Sequence, residues 1–328
     1  MRVTILHTKD AVDPPPADPV LEQVTNALRQ NGHESVLLAV DADVTPLVEA
    51  LRRDAPGLVF NFAESFAGKS ALESNVAALL NLLGLRYTGS SPAGLLLAGD
   101  KSLTKKVLSF HKILTPQFAT FYRGALDSAG DLTFPVIVKP PQEDASLGIT
   151  AKSVVHDLKE LFEAIDRLQE EYQSPVLVEQ FIEGREFYVG VLGNVNLRPL
   201  PIIELDFSKF PPGKPRIASW EAKWGDQGTG TGAEFAGTES VFPSDLAPAM
   251  VERMHRTAID AFQALRLRDY ARIDLRVNAA GDVYVLEVNP NCYLERQGEF
   301  ARAAEKDGLA YEKLIAAITE LALGRYSR

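Results

Sequence analysis

Three oxygen-bearing side chains lie close together in the apolar stretch 272–291, "RIDLRVNAAGDVYVLEVNPN". The runs "IDLRV" and "VYVLEV" flank the turn signal "NAAGD", a pattern that predicts a β-hairpin. Asp274 lies on the first strand, and Glu287 and Asn289, two residues apart, share a face of the second. Because carboxylates are seldom buried unless they are paired or bind a metal, this hairpin predicts a site for Mg²⁺, which prefers such oxygen ligands.

Arg272 precedes Asp274 by two residues, so we expect both side chains on one face of the strand. A guanidinium there could stabilise a phosphate or a developing oxyanion. The alternative for this stretch is a salt-bridged, solvent-facing edge of a sheet. Lysines elsewhere in the chain favour the metal site, for which Mg²⁺ is the expected ion and Mn²⁺ the alternative.

Two lysines and a loop of small residues predict a polyphosphate site. Lys101 opens a helix directly after a Gly-Asp pair, and Lys139 ends the apolar run "FPVIVKP", followed by "EDASLGI". Small residues let backbone N–H groups approach phosphate oxygens, and a nearby lysine neutralises their charge. The alternative for Lys139 by itself is a strand-terminal lysine in solvent. The stretch "AGKS" at 67–70 is not a Walker-type loop, since Ala63 stands where that motif needs glycine.

Two carboxylates flank a glycine-containing turn in "LVEQFIEGREFYVGVL", which reads as strand, turn and strand. Glu179 and Glu186 are seven residues apart. Carboxylates accept hydrogen bonds from ribose hydroxyls, and backbone groups between them could bind an adenine edge. The alternative is an ordinary hairpin with solvated acids.

The elements that must position these residues alternate along the first 95 positions or so. The stretches "RVTILH", "ESVLLAV" and "GLVFNF" predict strands, and "ADPVLEQVTNALRQNG", "VTPLVEALRRDAP" and "SALESNVAALLNLLG" predict helices. This βαβ order indicates a parallel sheet covered by helices. Farther on, helices are predicted in "DKSLTKKVLSFHKI", "HDLKELFEAIDRLQEEYQ", "APAMVERMHRTAIDAFQAL" and "LAYEKLIAAITELAL", with strands between them. The fold class is therefore α/β and α+β.

Composition limits the function classes. The chain has 328 residues, which indicates two or three domains, and its net charge of −10 argues against nucleic acid as the main partner. No apolar stretch is long enough for a membrane span. The start "MRVTILHTKD" predicts a buried strand rather than a signal peptide. The single cysteine, Cys292, suits a reducing cytoplasm, which is the expected location.

In this order, the motifs "IVKPPQEDASLGI", "EQFIEGREFYVGVL", "WEAKW", "RIDLRV" and "VLEVNPN" resemble the ATP-grasp superfamily, and more closely the D-alanine–D-alanine ligases. "LLNLLGLRYTGSS" and "GDKSLTKKVL" are similar to that group too, so the resemblance covers about residues 58–294. It implies an N-terminal parallel α/β domain over 1–96, a small central domain over 97–182 and a C-terminal domain over 183–328. ATP would bind between the last two.

The resemblance also implies roles for matching residues, beginning with those around the nucleotide. Lys101 and Lys139 would hold the ATP phosphates. Glu179 would lie at the adenine linker and Glu186 at the ribose. Ser146, in "DASLGI", would belong to the hairpin that closes over the phosphates and assist catalysis there.

The remaining implied roles concern the reaction. Lys223, in "WEAKW", would contact the γ-phosphate, Asp274, Glu287 and Asn289 would hold Mg²⁺, and Arg272 would stabilise the tetrahedral oxyanion. The implied reaction has two steps: a carboxylate attacks the ATP γ-phosphate to give an acylphosphate, and an amine then displaces phosphate to leave an amide. The implied partners are a small-molecule carboxylate and amine, with no nucleic acid or membrane, and the implied assembly is a homodimer.

Three segments depart from the ligase pattern. "TKDAVDPPPADPVLEQ" replaces a Gly/Ser-rich segment that carries a substrate-binding glutamate, Trp224 follows the lysine where the ligases have tyrosine, and "NPNCYLERQGEF" replaces an Asn-Thr-x-Pro-Gly segment. Candidate substrate-binding residues are Glu64, Trp224, Tyr293 and Arg296, although Arg296 could equally belong to a solvated helix start. The segment "GDQGTGTGAEF" is either a lid or a flexible surface loop.

Losing polar groups built for one substrate disfavours that substrate by orders of magnitude. We therefore predict an ATP- and Mg²⁺-dependent carboxylate–amine ligase whose substrates are not D-alanine plus D-alanine. One alternative is an authentic D-alanine–D-alanine ligase. Another, of a different class, is a non-catalytic nucleotide-binding regulator.

Overall fold

A computed structural model describes residues 1–9, 18–123, 125–129, 131–143, 146–172 and 175–326. Its N-terminal part is a three-stranded parallel sheet in the order β2-β1-β3, with helices between the strands. All of β3 is buried, as expected for a parallel strand covered on both faces. The elements are β1 Arg2–Thr8, α1 Pro19–Gln30, β2 Glu34–Val40, α2 Val44–Asp54 and β3 Leu58–Phe62.

Three helices then lead to the central sheet: α3 Glu73–Leu82, α4 Pro92–Gly99 and α5 Lys101–Phe110. The sequence analysis did not predict α4, whose run "GLLLAG" lacks a polar face. Helix α5 begins at Lys101 because the carboxylate of Asp100 accepts hydrogen bonds from the backbone N–H groups of Ser102 and Leu103, at 2.9 and 3.1 Å. This cap fixes Lys101 at the first position of the helix.

The central sheet has five antiparallel strands in the order β5-β4-β8-β6-β7. Helix α6 packs on it through its apolar face, which includes Leu161, Ile165 and Leu168. Its elements are β4 Phe118–Tyr122, β5 Ala125–Ala129, β6 Val136–Lys139, β7 Val154–Val155, α6 Leu158–Tyr172 and β8 Val176–Gln180.

The C-terminal sheet has six strands in the order β12-β11-β9-β13-β14, with β10 paired to β9. Its elements are β9 Arg185–Leu192, β10 Arg198–Pro199, β11 Ile203–Asp206, α7 Trp220–Trp224, α8 Ala233–Ala236, β12 Glu239–Val241, α9 Pro248–Ala264, β13 Tyr270–Val277, β14 Val283–Asn289, α10 Glu299–Lys306 and α11 Tyr311–Gly324. Short 3₁₀ turns lie at Ser70–Leu72, Ala151–Ser153 and Asp226–Gly228.

Strands β8 and β9 do not form the hairpin considered as the alternative for residues 176–192. They belong to different sheets, and residues 181–184 connect the two. Gly184 makes this connection possible: its φ is 154°, and a Cβ there would lie 2.0 Å from the carbonyl oxygen of Val277. Only glycine therefore lets the connector approach the end of β13.

The mixed α/β and α+β fold class is confirmed. Each sheet falls within one of the three predicted domain ranges, while the domain boundaries themselves stay a prediction. Residues 3–62 and residues 188–322 contribute to one shared apolar cluster, in which α1 packs on α11. In the part of the chain that the structure describes, no helix is both long and apolar enough to cross a membrane.

Candidate functional site

A cleft of about 640 Å³, including the solvent at its mouth, is lined by strands of both antiparallel sheets. The central sheet contributes residues of β6 and β8, and the C-terminal sheet contributes residues of β9, β13 and β14. The lining side chains are Pro116, Ile137, Lys139, Ser146, Ile149, Glu179, Gln180, Phe181, Ile182, Glu186, Ile217, Ala218, Lys223, Asp274, Arg276, Leu286 and Glu287. Seven of the predicted site residues thus share one cavity.

The predicted hairpin is confirmed as β13 and β14. Asp274 lies directly opposite Glu287, and Arg272 opposite Asn289. The register shifts after Asp274, so that Leu286 is an extra residue in β14. Such a bulge re-aims the side chains next to it, and Leu286 and Glu287 both line the cleft although they are consecutive.

Asp274 is held by the arginine that precedes it on the strand. The Arg272 guanidinium donates to both carboxylate oxygens, at 2.8 and 2.9 Å, and also lies 3.4 Å from Glu299. Burial raises the pKa of Asp274 and the charge of Glu287 adds to that rise, while Arg272 opposes both. The alternative for this stretch was a salt-bridged, solvent-facing edge of a sheet. β14 is indeed an edge strand and Asp274 is salt-bridged, but the Asp274 side chain is buried and does not face solvent.

Three lysines from different elements act on Glu287. Lys101 Nζ, at the start of α5, lies 2.8 Å from its carboxylate. Burial alone would raise the pKa of Glu287, but the charges of Lys101, Lys139 and Lys223 outweigh burial and lower this pKa to about 2. The three lysines that the sequence suggested for phosphate binding therefore converge on one carboxylate.

The oxygen donors of the hairpin fit a divalent cation. Asp274 and Glu287 lie opposite each other, and the charge of Glu287 raises the pKa of Asp274, a repulsion that a cation would relieve. The buried amide nitrogen of Asn289 has no hydrogen-bond partner. Because amide nitrogen and oxygen are assigned from their surroundings, an unpaired amide beside two carboxylates is suited to present its oxygen to a metal.

Lys139 is buried, so the alternative of a strand-terminal lysine in solvent is wrong. Its Nζ lies 2.9 Å from a carboxylate oxygen of Glu179, and Lys105 Nζ lies 3.2 Å from the same oxygen. Burial raises the pKa of Glu179, but the two ammonium groups outweigh it and leave the pKa below its usual value. Glu179 is thus a buried anion between two cations, not a solvated acid.

Ser146 and Lys223 lie on segments that are joined to each other. The Ser146 hydroxyl donates to the carbonyl of Ala218 at 2.6 Å, and the Trp220 N–H donates to the carbonyl of Ile149 at 2.9 Å. Helix α7, which carries Lys223, begins there. These two bonds bring the loop after Lys139 against the start of α7.

Helix α7 is also held from the segment that follows it. Ser219 caps its N-terminus and donates to the buried carboxylate of Glu234 at 2.9 Å. Within "GDQGTGTGAEF", the N–H of Asp226 donates to the Thr231 carbonyl at 2.6 Å, and the N–H of Gly230 donates to the Trp224 carbonyl at 2.7 Å. This segment is therefore folded on itself and packed against α7.

Glu186 lines the cleft, and its carboxylate already has two partners. Arg276 Nη2 lies 2.5 Å away, and the Tyr188 hydroxyl donates to it at 3.2 Å. Arg276 also donates to the carbonyl of Ile182, in the connector between the sheets, at 3.1 Å. The predicted ribose ligand is therefore part of a buried ion pair that fixes this connector.

None of the four candidate substrate-binding residues lines the cleft. Glu64 is exposed in the N-terminal part, and Trp224 packs on Trp220 with ring centroids 5.9 Å apart. Tyr293 donates to Asp18 at 3.3 Å. Arg296 pairs with Glu312 at 2.6 Å and stacks on Tyr311.

Two further residues of the sequence analysis lie apart from the cleft. Lys69, in "AGKS", is exposed in a turn, as the rejection of a phosphate loop predicted. Burial raises the pKa of Cys292 to about 12, which makes its thiol a packing group in the apolar core. The Pro- and Asp-rich segment falls largely on residues 10–17, which, like positions 144 and 145 of "DASLGI", lie outside the described residues.

The sequence analysis missed Lys105, Arg276 and Glu299. Lys105 follows Lys101 by four residues, so both share a face of α5, and Arg276 follows Asp274 by two residues on β13. Those spacings were available signals. No spacing indicated Glu299, which reaches Arg272 only because α10 packs near β9.

Comparison with known proteins points to one group. Residues 111–320 match the family model described as "D-ala D-ala ligase C-terminus". The chain is 33% identical over 323 residues to the uncharacterized protein y4sG of Sinorhizobium fredii, covering 95% of this chain and 90% of that protein. It is 32% identical over 281 residues to the D-alanine–D-alanine ligase of Desulfotalea psychrophila, with coverages of 83% and 81%.

A solved structure agrees in fold. The D-alanine–D-alanine ligase of Bacillus anthracis, crystallised in complex with ATP, superposes with a TM-score of 0.76 over 98% of this chain and 97% of that chain. Its sequence identity is 23%, so this likeness concerns the fold alone.

Proposed function

Since this chain belongs to the D-alanine–D-alanine ligase family of ATP-grasp proteins, we propose that it is an ATP- and Mg²⁺-dependent ligase that joins a carboxylate to an amine. One observation carries the proposal: Lys139 and Lys223 line the same cleft as Glu287, and Lys101 Nζ lies 2.8 Å from the Glu287 carboxylate, so that lysines from three separate elements act on one carboxylate. Such a concentration of cations around an anionic ligand group suits a metal–polyphosphate complex. A protein that binds no nucleotide would have no evident need for three lysines around one carboxylate.

The metal would be held by Asp274, Glu287 and Asn289. When bound, it would screen the phosphate charge and polarise the phosphoryl group. Arg272 orients Asp274 through its two hydrogen bonds, and its charge favours the ionised form of this carboxyl. The same guanidinium has further N–H donors for an oxyanion that develops nearby.

The chain's own groups supply binding, orientation and exclusion of water. Lys101 and Lys139 would bind phosphate oxygens, and Lys223, on the short helix α7, would reach the terminal phosphate. The two bonds of Ser146 and Trp220 hold the loop after Lys139 against the start of α7, an arrangement that would help to keep water from an acylphosphate. The amine then attacks the acyl carbon, phosphate leaves, and the amine loses a proton to give a neutral amide.

The proposed substrates are not D-alanine plus D-alanine. Trp224 has no hydroxyl where the ligase motif has tyrosine, and the Ser146 hydroxyl is taken by the Ala218 carbonyl. The segment "TKDAVDPPPADPVLEQ" also replaces the one that carries the substrate-binding glutamate of the ligases, so that a glutamate and a tyrosine of the ligase pattern are both missing. A site that loses such partners discriminates strongly against the substrate that needs them.

A second candidate, an authentic D-alanine–D-alanine ligase, is favoured by the relatives. Besides the Desulfotalea protein, the ligases of Carboxydothermus hydrogenoformans and Pelobacter propionicus are 30% and 34% identical to this chain. These relatives are named as D-alanine–D-alanine ligases, and this chain matches most of the length of each. Family membership alone is compatible with either substrate choice.

An ADP-release assay decides between them. The purified protein is screened with ATP, Mg²⁺ and pooled amino acids and small carboxylates, and products are identified by mass spectrometry. We expect D-alanine alone to be at least about 100-fold less efficient than the best pair. A turnover of roughly 10 per second at millimolar D-alanine would make the second candidate correct. No ADP release with any pool would favour the nucleotide-binding regulator.

A further inference from the structure

Lys105 is a buried charge that the proposed reaction does not use. It lies on α5 one turn after Lys101, is 1% exposed, and does not line the cleft. Its ammonium group lies 3.2 Å from the carboxylate of Glu179 and donates to the Thr115 hydroxyl at 2.9 Å. A buried ammonium is costly unless it is well paired. Because solvent does not reach Lys105, hydration cannot explain why a charged side chain lies behind the wall of the cleft.

The partner of Lys105 is shared with a lysine of the cleft. Oε1 of Glu179 lies between Lys105 Nζ and Lys139 Nζ, and Lys139 reaches the cavity while Lys105 does not. Two ammonium groups and one carboxylate leave this buried trio with a net charge of +1. Without the Lys105 ammonium, the remaining pair would be neutral, and Glu179 would hold Lys139 in a buried ion pair with no competing cation.

We propose that Lys105 is a positioning residue that compensates Glu179 from behind, so that Glu179 does not neutralise Lys139 and the N–H donors of Lys139 are available for the polyphosphate of a nucleotide. The inference rests on the proposed function, because it assumes that the anion in the cleft is a nucleotide. It assigns Lys105 no contact with that anion.

The surroundings of Lys105 support this role. The Thr115 hydroxyl that accepts its hydrogen bond donates in turn to the carbonyl of Val285 at 3.0 Å, on the strand that carries Glu287. Lys105 is thereby fixed relative to both sheets. Burial lowers its pKa to about 8, with Glu179 opposing the fall, so the side chain is still mostly protonated at neutral pH.

The test is calorimetric binding of a non-hydrolysable ATP analogue with Mg²⁺, in the absence of carboxylate and amine. Lys105→Met should weaken binding about 10- to 100-fold, the effect of losing one charge-assisted hydrogen bond. Lys106→Met is the matched control: it removes the same charge from the next residue of α5. Lys106 is exposed and paired with Asp127, so its loss should leave the affinity unchanged.

A rescue experiment separates this role from general damage to the fold. Glu179→Gln added to Lys105→Met removes the carboxylate that would neutralise Lys139, restores the net charge of +1 around Lys139, and should recover much of the lost affinity. A merely structural role predicts that the loss of affinity in Lys105→Met and the loss in Glu179→Gln alone add in the double variant. Circular dichroism checks folding, and Lys105→Gln replaces Lys105→Met if the latter does not fold.

The outcomes are distinguishable. If the wild-type protein binds no nucleotide, the proposed function fails, and this inference falls with it. If the wild type binds but Lys105→Met, or its replacement, binds equally well, only the inference is overturned. Additive losses in the double variant would overturn it too.

Discussion

Glu287→Gln tests whether the hairpin holds a metal or only a salt bridge. The substitution keeps the shape of the side chain and removes its charge. Since Lys101, Lys139 and Lys223 lower the pKa of Glu287 from 4.5 to about 2, the ionised form is stabilised by roughly 3 kcal/mol at 1.36 kcal/mol per pKa unit. The side chain is 24% exposed, so we expect a loss of about 2 kcal/mol in the free energy of unfolding after allowing for solvent screening.

Both interpretations predict that loss of stability, and only the metal site predicts a loss of chemistry. Turnover in the ADP-release assay should disappear in Glu287→Gln, because Mg²⁺ loses a carboxylate ligand. Urea unfolding measures stability, and an Mg²⁺ titration of the residual rate measures metal dependence.

A control variant in the same sheet calibrates the result. Glu204 pairs with Arg185 through two bonds, at 2.7 and 2.6 Å, away from the cleft. Glu204→Gln should lower stability by about 1 kcal/mol while leaving turnover intact. A wild-type rate in Glu287→Gln, with the same Mg²⁺ dependence, would refute the metal assignment and leave the salt bridge as the whole explanation.

Two other predictions concern phosphate binding and acid stability. Lys139→Ala should raise the ATP concentration needed for half-maximal rate about 10- to 100-fold. Lys69→Ala, in the exposed turn, should change that concentration little. A large effect of Lys69→Ala with little effect of Lys139→Ala would place the nucleotide in the N-terminal part. The folded pKa of Glu287 lies below its unfolded value of 4.5, so its contribution is complete above pH 4.5 and is lost as the pH falls toward 2. The stability difference between wild type and Glu287→Gln in urea should shrink over that window, and a constant difference would contradict the pKa shift.

Local rules predicted much of the fold. The hairpin followed from two apolar runs around "NAAGD", and Gly32, at the end of the stretch predicted as the first helix, has a φ of 75°, as glycines that end helices often do. Helix α5 begins after Asp100 as expected. These features depend on hydrogen bonds within a few residues, which the sequence encodes directly.

The site was predictable in its residue types and less so in its pairings. Lys139, Glu179 and Asp274 line the cleft together, yet Lys105 as the second partner of Glu179 was not foreseen. The partner of Glu186 was missed in the same way, because Arg276 lies 90 residues away in the chain. The sequence alone does not specify which of many possible charge pairs forms across such separations.

The sequence by itself determined most of the element types, the hairpin and the ligand-type residues, since periodicity, turn residues and family motifs are all local. Only the tertiary structure decided that β8 and β9 join two different sheets, that a bulge turns Glu287 into the cleft, and that Trp224, Tyr293 and Arg296 lie outside it. The physical reason is that strand partners and buried ion pairs form between segments far apart in the sequence. Which of these segments meet depends on which apolar surfaces pack together and exclude water. That choice is made by the packing of the whole chain.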